Sequence, residues 1–123
     1  MKKILVVDDE PQIRDLIKDR LTLSNYTVLT ASDGKEALDV ARENQPDLIL
    51  MDIAMPEIDG YTTCSKLKKD SKTKSIPVLL LTGKDLESKS VIERCSAVGA
   101  YDYISKMSSL KELLDKVKEA VGE

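Results

Sequence analysis

The sequence predicts an α/β domain built on a parallel sheet. Three apolar runs carry that reading: Ile4-Leu5-Val6-Val7, Leu48-Ile49-Leu50-Met51 and Val78-Leu79-Leu80-Leu81. None alternates with polar residues, and unbroken runs of this length suit strands covered on both faces. Segments with helical apolar spacing separate the runs, so that strand and helix alternate five times. A chain of 123 residues fits a single domain, by the usual size of about 100–200 residues. No linker, low-complexity tract or internal repeat divides it.

The elements come in order. After the first strand, Pro11 stands where a first-turn proline is favoured, because its missing N–H would be unpaired there anyway. Ile13, Leu16, Ile17 and Leu21 then form one apolar stripe. Thr27 to Ala31 is a second, weaker strand. Asp33 and Glu36 have capping-box spacing and start a second helix carrying Ala37, Leu38 and Ala41. The third strand is Leu48 to Met51, and a helix from about Tyr61 to Lys69 comes next, with Cys64 and Leu67 inward. The fourth strand is Val78 to Leu81. Its helix carries Val91, Ile92, Cys95 and Val98, and Gly99 is placed to end it. The fifth strand, Tyr101 to Ile104, is again weaker. Ser109 and Glu112 start the last helix, whose stripe is Leu110, Leu113, Leu114, Val117 and Val121.

The polar residues at the end of each apolar run point to chemistry. Asp8, Asp9 and Glu10 come after the first, Asp52 after the third, Thr82 and Gly83 after the fourth, and Lys106 after the fifth strand. In an open parallel sheet, ligands bind at the carboxyl ends of the strands, where all of these would meet. Carboxylates crowded together repel one another, by roughly 4 kcal/mol per pair near 4 Å at an effective dielectric of 20. A cation must offset this, either Lys106 or a bound divalent ion. An oxygen-only donor set without His or Cys favours Mg²⁺. A carboxylate surrounded by a metal, a lysine and a hydroxyl is equipped to attack phosphorus and become an acyl phosphate. Each residue also has a plainer reading. Asp9 or Glu10 could cap the first helix, Asp52 a turn, and Lys106 could be a solvated lysine. Their recurrence after successive core strands is what sets them apart.

The composition removes competitors. There is no His, Trp or Phe, and the aromatics are four Tyr. Without His there is no Ser-His-Asp or Cys-His catalysis, no His metal site and no phosphohistidine carrier. Scarce aromatics argue against stacking on single-stranded nucleic acid and leave little to hold a flavin. A net charge of −3 shows no electrostatic footprint for nucleic acid. The two cysteines, Cys64 and Cys95, read as buried thiols of a reducing cytosol. No apolar run is long enough for a signal peptide or a membrane span, so a cytoplasmic protein without a membrane partner is expected.

In combination and order, these motifs resemble the receiver domain of two-component response regulators, over essentially all of residues 1–123. Ile4 to Glu10 is similar to the family's first strand and acidic pair. Leu50 to Gly60 is similar to its phosphoacceptor strand and loop. Leu81-Thr82-Gly83 resembles its hydroxyl position, and Gly99 to Lys106 its fifth strand and lysine. The resemblance implies a flavodoxin-like (βα)5 three-layer sandwich with strand order 2-1-3-4-5. It implies that Asp52 is phosphorylated, and that Mg²⁺ is bound by Asp9, Asp52 and the carbonyl of Ala54, with Asp8 acting through a water. It further implies that Lys106 and Thr82 contact the phosphoryl group and that Thr82 and Tyr103 switch.

The implied donor is a sensor histidine kinase or a histidine phosphotransfer protein, in keeping with the absence of His here. The implied output is a downstream protein or domain, read through helix 4, strand 5 and helix 5, with no direct nucleic-acid contact. The chain ends with its last helix, so no output domain is expected within it. Three positions stand out. Met107 replaces the proline that usually follows the lysine with a cis peptide bond, and a non-proline cis bond costs about 2.5–4 kcal/mol. Ala54 and Lys84 occupy positions that tune dephosphorylation in the family. The protein is therefore expected to be a phosphoacceptor switch rather than an enzyme. A phosphohydrolase with an aspartyl-phosphate intermediate would need a second carboxylate where Ala54 stands. A phosphate-independent interaction module would not need the whole acceptor set.

Overall fold

The structure is a computed structural model, and it describes residues 1–83, 89–106 and 108–123. Five strands and five helices alternate along the chain: β1 (Lys3–Val7), α1 (Pro11–Leu23), β2 (Thr27–Ala31), α2 (Gly34–Asn44), β3 (Leu48–Asp52), α3 (Gly60–Lys69), β4 (Val78–Thr82), α4 (Lys89–Ala97), β5 (Asp102–Ser105) and α5 (Leu110–Val121). The strands form one sheet in the order β2-β1-β3-β4-β5, and every pairing is parallel. The two strands that read as weaker in sequence, β2 and β5, are the edges of that sheet. An edge strand is covered less, so its sequence needs fewer apolar residues.

The unbroken apolar runs resolve into two alternating sets, because neighbouring side chains on a strand point to opposite faces. Leu5, Val7, Ile49, Met51, Val78 and Leu80 pack with Ala37, Ala41, Cys64, Leu67 and Cys95 from α2, α3 and α4. Ile4, Val6, Leu48, Leu50, Leu79 and Leu81 pack with Ile17 and Leu21 of α1 and with Leu113, Leu114, Val117 and Val121 of α5. The result is a three-layer sandwich with three helices on one face and two on the other.

Helix starts match the sequence signals. The Asp33 carboxylate accepts the Glu36 N–H at 2.8 Å, and Glu36 accepts the Ser32 N–H at 2.9 Å. The Ser109 hydroxyl accepts the Glu112 N–H at 3.1 Å. Gly99 takes φ +78° just after α4, in the left-handed region that favours glycine. Two expected core residues face outward instead. Leu16 is 56% exposed and Ile92 is 44% exposed. Ile13, Ile17 and Leu21 are four residues apart and mark one line along α1. Leu16 lies about 100° around the helix from Ile17, beyond the strip that meets the sheet.

Candidate functional site at the carboxyl end of the sheet

The site is built where apolar strands run out. Asp8 comes directly after β1, Asp52 ends β3 and Thr82 ends β4, and all three are as buried as the core, at 0%, 2% and 4% exposure. Backbone bonds fix their places. Asp8 N–H donates to Ala31 C=O at 3.2 Å, Ile53 N–H to Leu81 C=O at 3.0 Å, and Lys106 N–H to Thr82 C=O at 2.8 Å. The register thereby carries Lys106 back over the ends of β4 and β3. Gly60 closes the loop after Asp52. A Cβ there would stand 2.4 Å from the Asp52 carbonyl oxygen, so only glycine lets α3 begin this close to β3.

The side chains converge as the sequence predicts. Lys106 Nζ lies 3.0 Å from Asp52 Oδ2, 3.1 Å from Asp8 Oδ2 and 3.3 Å from Glu10 Oε1. Asp8, Asp9, Glu10 and Asp52 each offer a carboxylate oxygen, and these lie within 4.8 Å of one another. Ala54 N–H donates to Asp52 Oδ1 at 3.3 Å. Thr82, Ala54 and Gly83 border an adjoining cavity of about 580 Å³. The capping alternative for the acidic run does not hold. Glu10 occupies the N-cap position of α1 but makes no side-chain cap hydrogen bond, while Asp8 Oδ1 accepts the Glu10 N–H at 2.9 Å. Nor is Lys106 a solvated lysine, since its side chain is only 13% exposed.

The electrostatics stem from burial. Desolvation pushes the Asp52 carboxyl up to about 6; the Lys106 ammonium opposes this and the charge of Asp8 adds to it. Burial alone would lower the Lys106 pKa, but hydrogen bonding and attraction from Asp52 and Asp8 outweigh it and hold the ammonium firmly charged. Even so, one cation faces several carboxylates. The Oδ2 atoms of Asp8 and Asp52 are buried without a well-directed hydrogen bond, although Lys106 is within ion-pair distance of both. Two buried oxygens that share a single lysine, beside two further carboxylates, fit a hard divalent cation with oxygen ligands.

Tyr103 lies apart from this cluster. It is half-buried against the α2–α3–α4 side of the core and borders a cleft of about 650 Å³ between α4, β5 and α5, with Ile92, Ile104, Glu112 and Lys116. Met107 and Lys84 lie outside the described residues. The structure adds two features. One is the reach of Glu10 to Lys106, which joins residues at opposite ends of the chain. The other is Arg94, whose guanidinium sits 4.0 Å over the Tyr61 ring and 3.8 Å from Asp59. Neither has a local sequence signature, because each depends on tertiary packing.

A family model described as the response regulator receiver domain matches residues 4–118. The chain belongs to the receiver domain family. Its relatives include the alkaline phosphatase synthesis transcriptional regulatory protein PhoP of Bacillus subtilis, 44% identical over 95% of this chain and 47% of the relative. The DNA-binding dual master transcriptional regulator RpaA of Synechocystis is 38% identical over 96% of this chain and 48% of the relative. This receiver thus spans about half the length of such relatives. Among solved structures, the chemotaxis protein CheY4 of Vibrio cholerae superposes with a TM-score of 0.92, at 32% identity and 98% coverage of both chains. The receiver domain of a Pseudomonas aeruginosa sensor histidine kinase, solved with a magnesium ion coordinated in its active-site cleft, gives 0.88 at 29% identity, over 99% of this chain and 98% of that one. The fold is that of receivers, and membership places the chain in two-component, phosphorylation-dependent signalling.

Proposed function

We propose that Asp52 of this receiver accepts a phosphoryl group from a phosphohistidine on a partner kinase or phosphotransfer protein. The observation that carries the reading is the buried Asp8–Lys106–Asp52 constellation at the carboxyl end of the sheet. With its carboxyl near 6, Asp52 is mostly ionised at neutral pH and can act as nucleophile. Its oxygen forms the new P–O bond as the P–N bond to the donor imidazole breaks and the electron pair leaves with nitrogen. Lys106 pairs with the phosphoryl oxygens, and the Thr82 hydroxyl and the Ala54 N–H donate to them. Such preplaced donors and charge are the main source of rate in phosphoryl transfer.

The donor set supports Mg²⁺ as the cofactor, with Asp9, Asp52 and the Ala54 carbonyl as ligands and Asp8 acting through a water. When bound, the ion neutralises charge on the transferring group. Phosphorylation adds charge of about −1.5 to −2. Thr82 and Tyr103 would transmit its presence to the face formed by α4, β5 and α5, which a downstream protein or output domain reads. Names such as transcriptional regulator belong to relatives about twice this length, and this reading assigns no DNA contact to residues 1–123. No described helix is long and apolar enough to cross a membrane, which is in keeping with a cytoplasmic setting. Ala54 supplies no second carboxylate, which favours a phosphoacceptor over a phosphohydrolase.

Labelling with acetyl phosphate and Mg²⁺ tests the reading. One equivalent of acid-stable but hydroxylamine-labile phosphate is expected on wild type and on Asp47→Ala, whose carboxylate accepts the Lys3 N–H at the far end of the sheet. None is expected on Asp52→Ala. Label persisting on folded Asp52→Ala refutes the site.

A further inference from the structure

A second charged feature lies outside the acceptor site. Residues 66–74 carry five lysines and one aspartate in a chain of net charge −3. Two of the lysines border a groove of about 390 Å³ between α3 and α4, where Lys66, Lys69 and Arg94 surround the apolar surfaces of Tyr61, Ala97 and Val98. Among the described residues, no carboxylate lines this groove. Asp70, the aspartate within the lysine run, is already engaged by Arg42 at 3.0 Å. Lys68 turns away and donates to Ile76 C=O at 2.5 Å. Lys66 and Lys69 are exposed and make no ion pair among the described residues.

From this arrangement we infer that the α3–α4 groove is a docking site for an acidic protein segment bearing an apolar anchor. Three cations around an apolar floor match a peptide in which carboxylates flank one aliphatic or aromatic side chain. The cations steer it and the floor buries its anchor. A nucleic acid fits less well. A duplex carries one charge about every 1.7 Å and needs an extended basic track. Here the basic surface is short: on the α2 side of the lysine run, Asp39 and Glu43 stand beside Arg42 and Lys72.

The groove also touches the acceptor site. Arg94 lines both the groove and the cavity bordered by Ala54, Thr82 and Gly83. A carboxylate that draws the guanidinium away from Asp59 therefore changes the wall of the acceptor cavity. By linkage, occupancy of either site alters affinity at the other.

Fluorescence anisotropy tests this with a labelled Asp/Glu-rich peptide carrying one central Leu, titrated with the 123-residue protein. Saturable binding is expected, weakened about tenfold or more by Lys66→Glu/Lys69→Glu and by Arg94→Gln. The charge-matched control Lys18→Glu/Lys35→Glu should bind as wild type. Replacing the central Leu by Ser should also weaken binding. Matching thermal melts establish that the variants fold. Equal weakening by the control pair, or indifference to the Leu, reduces the effect to general electrostatics and overturns the proposal. So does displacement of the peptide by a DNA duplex at low micromolar concentration, or self-association of wild type that the Lys66→Glu/Lys69→Glu variant abolishes.

Discussion

In the middle of the sheet, Ile4–Val7, Leu48–Met51 and Val78–Leu81 are enclosed on both faces; at the next position along the same strands stand Asp8, Asp52 and Thr82, enclosed almost as completely. The same burial has opposite consequences in the two regions. Fully burying a large aliphatic side chain stabilises a fold by about 1.5–3 kcal/mol. Burying a carboxylate costs free energy unless charge and hydrogen bonds compensate. Asp52 is compensated in part, through Lys106 and the Ala54 N–H, and its raised pKa measures what remains. The interior of the sheet is therefore a source of stability, and its carboxyl edge is a charged region held in place by that stability.

The largest test breaks the interior. Leu50 is fully buried between α1 and α5 on one face of β3, two residues before Asp52. Leu50→Ala is expected to cost about 2–5 kcal/mol, the usual range for emptying a core site, read as a lower midpoint in urea. The fraction that remains folded should still label on Asp52, because the backbone ladder of β3 does not depend on that side chain. Complete loss of labelling at a temperature where the variant is folded would show that edge geometry is set by core packing, and would erase the distinction.

The second test acts on the edge and has the opposite sign. The Asp52 carboxyl is near 6 in the folded protein against an ordinary 3.8, so folding favours its protonated form. The cost of holding it ionised is absent below about pH 4, grows through the interval and is complete above about pH 6. Two units correspond to about 3 kcal/mol, and at 2% exposure solvent screens little of it. In metal-free buffer at pH 8, Asp52→Asn should be more stable than wild type by about that amount. Near pH 4 the two should converge. A pH-independent difference in urea midpoints would place the effect in packing rather than charge. On the reading that Mg²⁺ binds here, adding it should narrow the gap by stabilising wild type.

Legibility in the sequence divides along the same line. The core strands were visible because continuous apolar runs need no partner to be recognised, and the caps of α2 and α5 because their residues are three apart. The candidate constellation was visible because a parallel sheet sends every strand end to one edge, so Asp8, Asp52, Thr82 and Lys106 converge once the strands are known. Glu10 beside Lys106, 96 residues away, and Arg94 over Tyr61 were not. Both pairings arise from how helices and loops settle on the sheet, and no local spacing encodes that. Leu16 and Ile92 show the same gap from the other side. Helical periodicity marks an apolar stripe, while the width of the strip that is covered is decided by the neighbour.

The smallest test asks whether the two regions join at the start of α5. The Ser109 hydroxyl accepts the Glu112 N–H at 3.1 Å and caps a helix whose Leu113, Leu114, Val117 and Val121 belong to the interior. Ser109 is also three residues after Lys106, the cation of the edge. Removing an N-cap oxygen costs about 1 kcal/mol, so Ser109→Ala should shift the urea midpoint slightly. Its labelling rate should stay close to that of wild type, since Lys106 is positioned by its own N–H to Thr82 C=O bond at 2.8 Å and by Asp52 and Asp8. That bond belongs to the sheet and survives the loss of the cap. A labelling rate that falls tenfold or more would mean that the first turn of α5, rather than the sheet, aims the lysine. The acceptor site would then depend on a helix end as well as on the strand ends.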